Sequence, residues 1–356
     1  MYIGYFLLTF LLSVILTAVV RHIMITWQII DKPKAKSRKI HKKKIPLGGG
    51  LAIFSSFFIV IFYLHFVGNK FGGDITAKQI YGLFVGSIIL MIGGFLDDKY
   101  SLRARIQIIF PILAALSIIA FGIGPHIITN PLGGVISLDI IKIPIDGLGN
   151  WVVVADILVF FWLLGMMFTT KFLDGLDGLV AGIVSIGALM VFFLSLQKQW
   201  FQPEIALLSI ILTGAVLGFL VWNWHPAKIF LGEGGSLFTG FMLGSLAIIS
   251  GGKIATTLLV VGIPMLDVVR VFIKRFQRKQ PIYIGDKEHL HFKLLESGLS
   301  QKQAVLLMYS ISFLFGLTTL FLQSSQKLIA LMFLLLLMLL VGFWFSLKEK
   351  NNRKLS

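Results

Sequence analysis

Eleven runs of about 15 to 24 mostly apolar residues recur along this chain, at approximately 3–26, 48–67, 80–96, 106–124, 151–170, 179–196, 205–221, 236–250, 255–273, 303–322 and 328–346. Nothing else in the sequence constrains the fold as much. A helix rising 1.5 Å per residue needs about 20 apolar residues to cross a hydrocarbon layer of ~30 Å. Composition closes off the soluble alternative: 57% of the 356 residues are hydrophobic and 13% charged, against roughly 45–50% and about 25% in soluble domains. The same hydrophobicity excludes intrinsic disorder. The absence of cysteine excludes a disulfide scaffold, a thiol nucleophile and a thiolate metal site. The expected fold is an all-α polytopic membrane protein of about 11 transmembrane helices, forming a single integral membrane domain over 1–356. The first run does not read as a cleavable signal peptide, because no basic region precedes it and Arg21 and His22 sit at its far end.

Lysine and arginine give the orientation. With the N-terminus outside, 26 of the 32 basic residues fall on the cytoplasmic side and six outside, which predicts N-terminus out and C-terminus in. The net charge of +16 is therefore mostly topology, and no nucleic-acid partner is expected. Eleven of the 16 acidic residues fall on the same cytoplasmic side, where topology does not require them. Outside, the stretch 125–150 alternates apolar and β-branched residues between Gly and Pro, predicting a short β-hairpin.

Five clusters occupy the cytoplasmic loops at about 28–46, 97–105, 171–178, 222–235 and 274–302. Asp97 and Asp98 are adjacent, so keeping both ionised calls for Mg²⁺ or a basic neighbour; an ordinary helix end with Lys99 as partner is the plainer reading. In FLDGLDGL, Asp174 and Asp177 each precede a glycine, a pattern that suits a metal, a nucleobase edge or a ribose, and equally a tight turn. In WNWHPAKIFLGEGGS, glycines flank Glu233 just before a helix, where an acid takes either a metal or a capping role. His289 and His291 lie two apart, sharing a face on a strand and not on a helix. RKIHKKKIP is dense in bases, including Lys42, that serve topology, anionic lipid or a phosphate. Acids for a divalent cation, bases for phosphate and glycines for close approach, all on one side, are the parts of a phosphoryl-transfer site. Its place at the lipid boundary suggests that one substrate is a lipid phosphate.

These motifs, in this order, resemble the polyprenyl-phosphate N-acetylhexosamine-1-phosphate transferases over roughly residues 1–300. DKP and RKIH at 31–41, Pro46 and Gly49-Gly50 match the first motif; Asp97-Asp98, DGLDGL, NxxPAKIFLG and HLH follow. The resemblance implies transfer of a sugar-1-phosphate from a UDP-sugar to undecaprenyl or another polyprenyl phosphate, releasing UMP and starting a cell-envelope glycopolymer. It implies an inner or plasma membrane location with a cytoplasmic active site, and a homodimer as a possible assembly. It assigns Asp97 and Asp98 as the catalytic pair, Glu233 with help from Asp97 as the site of Mg²⁺ or Mn²⁺, and Asn223, Phe230, Asp174 and Asp177 to nucleotide binding. His289 and His291 fall to diphosphate and sugar recognition, and Lys42 to substrate binding. Eleven spans with HLH resemble the N-acetylglucosamine-1-phosphate branch more than the phospho-N-acetylmuramoyl-pentapeptide branch.

Three departures stand out. Glu233 stands where the family usually has Asp, and Phe168 and Lys171 stand where it usually has asparagines. Lys171 can supply part of a cation's charge next to a phosphate. Two rivals fit less well. The CDP-alcohol phosphotransferase pattern needs an arginine where this chain has Gly182, and a transporter would want mid-span acids, for which only Asp156 and Asp267 (beside Arg270) are candidates.

Overall fold

The computed structural model describes residues 1–33, 43–125, 127–130, 133–145, 149–251, 253–280 and 288–355. Lys42, with most of the basic stretch around it, and residues 281–287 lie outside the described residues.

Each apolar run lies mainly in helix. The first ten elements are α1 (Tyr2–Thr26), β1 (Ile30–Asp31), β2 (Ile45–Pro46), α2 (Gly49–Phe66), α3 (Ala77–Tyr100), α4 (Ala104–Gln107), α5 (Ile109–Ala120), β3 (Ile127–Thr129), β4 (Val135–Ser137) and β5 (Lys142–Ile145). There follow β6 (Gly149–Val152), α6 (Val153–Leu173), α7 (Leu179–Ser195), α8 (Pro203–Asn223), α9 (Gly232–Ile249), α10 (Ile254–Gln277), α11 (Leu290–Glu296), α12 (Gln301–Thr318) and α13 (Ser324–Leu355). Seven of these helices, α1, α2, α3, α6, α8, α9 and α10, are long and apolar enough to cross a membrane by length and composition. The fourth run is split at Ile108 into α4 and α5. Pro111 has no N–H to give the carbonyl of Gln107, so the helical ladder is interrupted there.

Polarity runs inside out. On α1 the buried positions are Thr9, Ser13, Thr17 and Met24, while Ile3, Leu7, Leu11 and Ile15 are exposed. A helix in water would reverse this; in lipid, small polar residues mark the helix–helix seam instead. The seam lies on α8, where the Ser13 hydroxyl donates to the Ala215 carbonyl. A Cβ on Gly218 would come within 2.4 Å of the Phe10 carbonyl oxygen. At the centre is α9, 89% buried over its apolar window and packed by α2, α3, α6 and α7.

The single hairpin expected at about 125–150 is corrected to two. Strands β3 and β4 pair antiparallel with Ile128 opposite Ile136, and β5 and β6 with Ile143 opposite Trp151. Gly133 and Gly134, both at positive φ, bring the chain back into the first pair, with Asn130 donating to the Gly134 carbonyl. A further two-stranded ladder, Ile30–Asp31 with Ile45–Pro46, brings together the two ends of the basic segment.

Candidate active site

The C-terminal ends of α3, α6, α8 and α10 and the N-terminus of α9 meet at one end of the bundle. Glycine makes the closest approach possible. A Cβ on Gly94 of α3 would lie 2.0 Å from the backbone nitrogen of Gly234, and one on Gly50 of α2 would lie 2.1 Å from the Cα of Gly235. With the backbones in contact, Asp98, one turn beyond Gly94, reaches the start of α9 and accepts a hydrogen bond from the Glu233 N–H at 3.0 Å. A carboxylate there faces the positive end of the α9 dipole. Gly232 has φ +75°, and a Cβ on it would fall 2.2 Å from Asp98 Oδ2. The acid expected to do chemistry is thus also the cap of the central helix.

From Asp97 runs a connected chain of polar groups. Its Oδ1 accepts from the Leu102 N–H and the Gln107 side-chain amide, each at 2.8 Å. Gln107 Oε1 in turn accepts from the Lys171 ammonium at 3.1 Å, and that ammonium is ion-paired with Glu233. The ammonium also lies 6.0 Å from the ring centre of Phe168, within reach of its negative face. Phe168, Lys171 and Glu233, three of the positions at which the sequence departs from the family pattern, therefore converge on one charge; Pro111, where many relatives have Gln, and Leu290, in place of a middle histidine, lie elsewhere.

This arrangement tests the expected Mg²⁺ or Mn²⁺ held by Glu233 and Asp97. Glu233 holds an ammonium, and the Oδ1 of Asp97 holds two N–H donors. Among the described residues no three His, Asp or Glu side chains gather as metal ligands. As arranged, the donor set fits a lysine and not a divalent cation.

The DGLDGL turn is tied to the loop after α8. Asn223 is buried; its Oδ1 accepts from the Gly178 N–H and its Nδ2 donates to the Ile229 carbonyl, both at 2.9 Å. Its amide therefore joins the two loops. Asp177 Oδ2 pairs with His225 Nδ1 at 2.6 Å and accepts from the Ala227 N–H at 3.1 Å. Tyr309 of α12 donates its hydroxyl to the Gly178 carbonyl. Asp174, at the head of the turn, is exposed.

The histidine segment is anchored on α10. Asp267 is 4% exposed, and its Oδ2 receives His289 Nδ1 at 2.9 Å and the Leu290 N–H at 3.0 Å. Its Oδ1 receives Arg270 Nη2 at 2.7 Å. Arg270 also donates to the Glu288 carbonyl, while the Glu288 carboxylate is held by Lys274 and Arg278. Burial pushes the Glu288 carboxyl up, but the Lys274 bond and the charges of Lys274, Lys293 and Arg278 outweigh it and hold the group below the usual range. His289 caps α11 in an extended conformation and His291 lies in its first turn, so the two rings stack nearly parallel, 5.7 Å apart. The boundary between strand-like and helical backbone brings together a pair that a uniform helix would separate.

A cavity of about 850 Å³ opens among these groups. Asp97, Asp98, Asp174, Asp177, Asn223, Phe230, Glu233 and His289 all line it. His291 does not; it is buried behind the DGLDGL turn, where a Cβ on Gly175 would meet its Nε2 at 2.3 Å. Lys42 lies outside the described residues, and Lys43 lines the cavity. Gln107 and His225, which line the cavity, and Asp267, which anchors His289, were not among the site residues expected from the sequence, where Asp267 stood only as a mid-span acid beside Arg270. A lone amide entering an apolar run was the signal for Gln107, and a histidine before a proline in the glycine-rich loop was the signal for His225.

The profile of glycosyl transferase family 4 matches residues 80–251, which carry both acids of the α3 end, the DGLDGL turn and Glu233. The chain is 31% identical over 344 residues to a Bacillus subtilis protein named a probable undecaprenyl-phosphate N-acetylglucosaminyl 1-phosphate transferase, covering 94% of this chain and 88% of that one. It is 30% identical to the decaprenyl-phosphate N-acetylglucosaminephosphotransferase of Mycolicibacterium smegmatis, over 82% and 75% of the two chains. It is 28% identical to the phospho-N-acetylmuramoyl-pentapeptide-transferase of Halalkalibacterium halodurans, over 89% and 97%. With the likeness running almost end to end and the motifs gathered around one cavity, the chain belongs to glycosyl transferase family 4.

Proposed function

We propose that this protein transfers N-acetylglucosamine-1-phosphate from UDP-N-acetylglucosamine to a polyprenyl phosphate, releasing UMP, with its active site at the cytoplasmic face of the cell membrane. The observation that carries the reading is the cavity itself, where the ammonium of Lys171 and the imidazoles of His225 and His289 stand among apolar walls at the end of a lipid-soluble bundle. Basic groups suit phosphates, and an opening beside apolar helices suits a long prenyl chain. The biased lysine and arginine distribution supports the orientation.

In this reading an oxygen of the lipid phosphate attacks the β-phosphorus of the UDP-sugar. The bond from that phosphorus to the bridging oxygen breaks, and its electron pair leaves on UMP. A phosphate monoester with a second pKa of about 6 is largely dianionic at neutral pH and needs little help from a base. Asp98 acts by fixing the first turn of α9, Phe230 offers an aromatic face to the base, and His289, held by Asp267, presents its other ring nitrogen to the diphosphate. A transporter reading lacks support, since neither candidate mid-span acid fits a transport path. Asp156 accepts from the Val152 N–H at the very start of α6, and Asp267 is tied to Arg270 and His289. Purified protein is expected to release UMP from UDP-N-acetylglucosamine only when polyprenyl phosphate is present. Absence of release with every UDP-N-acetylhexosamine and every metal condition would refute the proposal.

A further inference from the structure

The geometry points to Lys171 as a built-in cation: its ammonium supplies the positive charge that phosphoryl-transfer sites commonly draw from a divalent metal, and the reaction proceeds without one. For its substrate the inference rests on the transfer reaction proposed above. The argument for it starts from hydrogen-bond polarity. The Gln107 amide nitrogen donates to Asp97 Oδ1 and to the Leu102 carbonyl, at 2.8 and 3.0 Å. Both partners accept only, so the amide cannot be reversed and its oxygen must face Lys171. That oxygen and the Glu233 carboxylate receive two of the three ammonium N–H groups. The third is available to an anion in the cavity that Lys171 lines.

The surroundings keep this lysine charged and in place. Glu233 supplies the opposite charge, and the Phe168 ring lies 6.0 Å away. The Lys171 side chain is 20% exposed and that of Glu233 16%, so the pair is half-withdrawn from water, where its field on a bound phosphate is less screened. A divalent cation bound by Glu233 and Asp97 would have to displace the ammonium or share its space with it, and like charge opposes the second. Glutamate, one methylene longer than aspartate, reaches from the first turn of α9 to the end of α6, where the lysine stands. In the transfer step Lys171 donates a hydrogen bond to a non-bridging oxygen of the diphosphate. No proton need pass, since UMP leaves on an oxygen already carrying the electron pair of the broken bond.

The test uses the full-length protein in detergent or nanodiscs and has two arms. In the first, Mn²⁺ is titrated and its free-ion electron paramagnetic resonance signal followed. Wild type is expected to leave the signal unchanged; loss of signal that Glu233→Gln restores would overturn the inference, whatever the substrate. In the second, UMP release is measured in excess EDTA and in Mg²⁺. Wild type in EDTA should keep its rate to within about threefold, Lys171→Met should lose ~100-fold or more, as when a single preorganised donor is removed, and Lys171→Arg should recover part of it. Turnover abolished by EDTA and restored by Mg²⁺ would overturn the inference, as would a folded Lys171→Met enzyme with undiminished rate. No UMP release under any condition would refute the proposed reaction, and the Mn²⁺ arm would still decide the charge at Glu233.

Discussion

Replacing Gly94 by alanine should disable the site without touching any polar group in it. The added Cβ would lie 2.0 Å from Gly234 N and 2.1 Å from its Cα, where ordinary contact begins near 3.4 Å. Both neighbours are backbone, so no side chain can swing aside, and α3 and α9 must part by about 1.4 Å. Asp98 lies four residues on, on the same face of α3. Its bond to Glu233 N, now 3.0 Å, would stretch beyond hydrogen-bonding range. Overpacking of this kind costs about 1–3 kcal/mol, and loss of a hydrogen bond about 0.5–1.5. The two overlap, because the parting that relieves the first causes the second, so about 3 kcal/mol is the upper figure. A displacement of ~1 Å at a reacting centre is worth about 100-fold in rate. The assay is UMP release at saturating substrates, beside the thermal midpoint in detergent. Gly4→Ala is the control, since a Cβ there has nothing within 4 Å. A Gly94→Ala protein that melts and turns over like wild type would refute the claim that this glycine contact positions Asp98.

Two further outcomes follow from the histidine anchor. Asp267→Asn sets an amide N–H against either Arg270 or the His289–Leu290 pair, all donors; turnover should fall about 10- to 100-fold, at 1.4 kcal/mol per decade. The double variant with His289→Gln should be no worse than His289→Gln alone; additive losses would show that Asp267 does not act through His289. For Glu288, a carboxyl titrating below the ordinary glutamate value of about 4.3 stabilises fully above that value and ceases to as pH falls through its own lowered one. The difference in thermal midpoint between wild type and Glu288→Gln should therefore be constant from neutral pH to about pH 5 and shrink below it; a difference that widens on acidification would contradict the ion pairing.

The helices were legible because hydropathy averaged over about 20 residues outweighs every local preference. What local chemistry decides was harder to read. The break at Ile108 depends on a single missing N–H at Pro111. The two outer ladders depend on which strand pairs with which, and alternation alone does not say. The site divides in the same way. Asp97, Asp98 and Glu233 stand out because charge beside an apolar run is conspicuous. Asp267 was legible as a neighbour of Arg270, three residues on, but its bond to His289 spans 22 positions, and helix periodicity carries no information about that. Asn223 was visible as a polar residue at a helix end. That its amide is used to join two loops follows only from the meeting of Gly178 and Ile229.

The carboxylates of the site mostly serve the bases. Glu233 holds Lys171, Asp177 holds His225, and Asp267 holds Arg270 and His289. The basic member is clearly the more exposed in the Asp177–His225 and Asp267–Arg270 pairs, at 37% against 13% and 27% against 6%. In these two pairs the base is therefore turned outward and the acid drawn back, an arrangement that suits a diphosphate. Asp174 is placed differently, as an exposed carboxylate lining the cavity. An anion there repels phosphate, so it belongs opposite donors that carry no charge, such as a ribose hydroxyl or a ring N–H of the base. A hydrogen bond to a charged group is worth about 1.5–3 kcal/mol. Asp174→Ala should therefore raise the KM for the UDP-sugar about 10- to 100-fold with kcat nearly unchanged, the signature of binding felt equally in ground and transition states. Asp174→Asn, which still accepts, should lose less. A collapse of kcat at constant KM would instead place Asp174 at the reacting phosphorus, and the division of labour between bases and acids drawn here would fail.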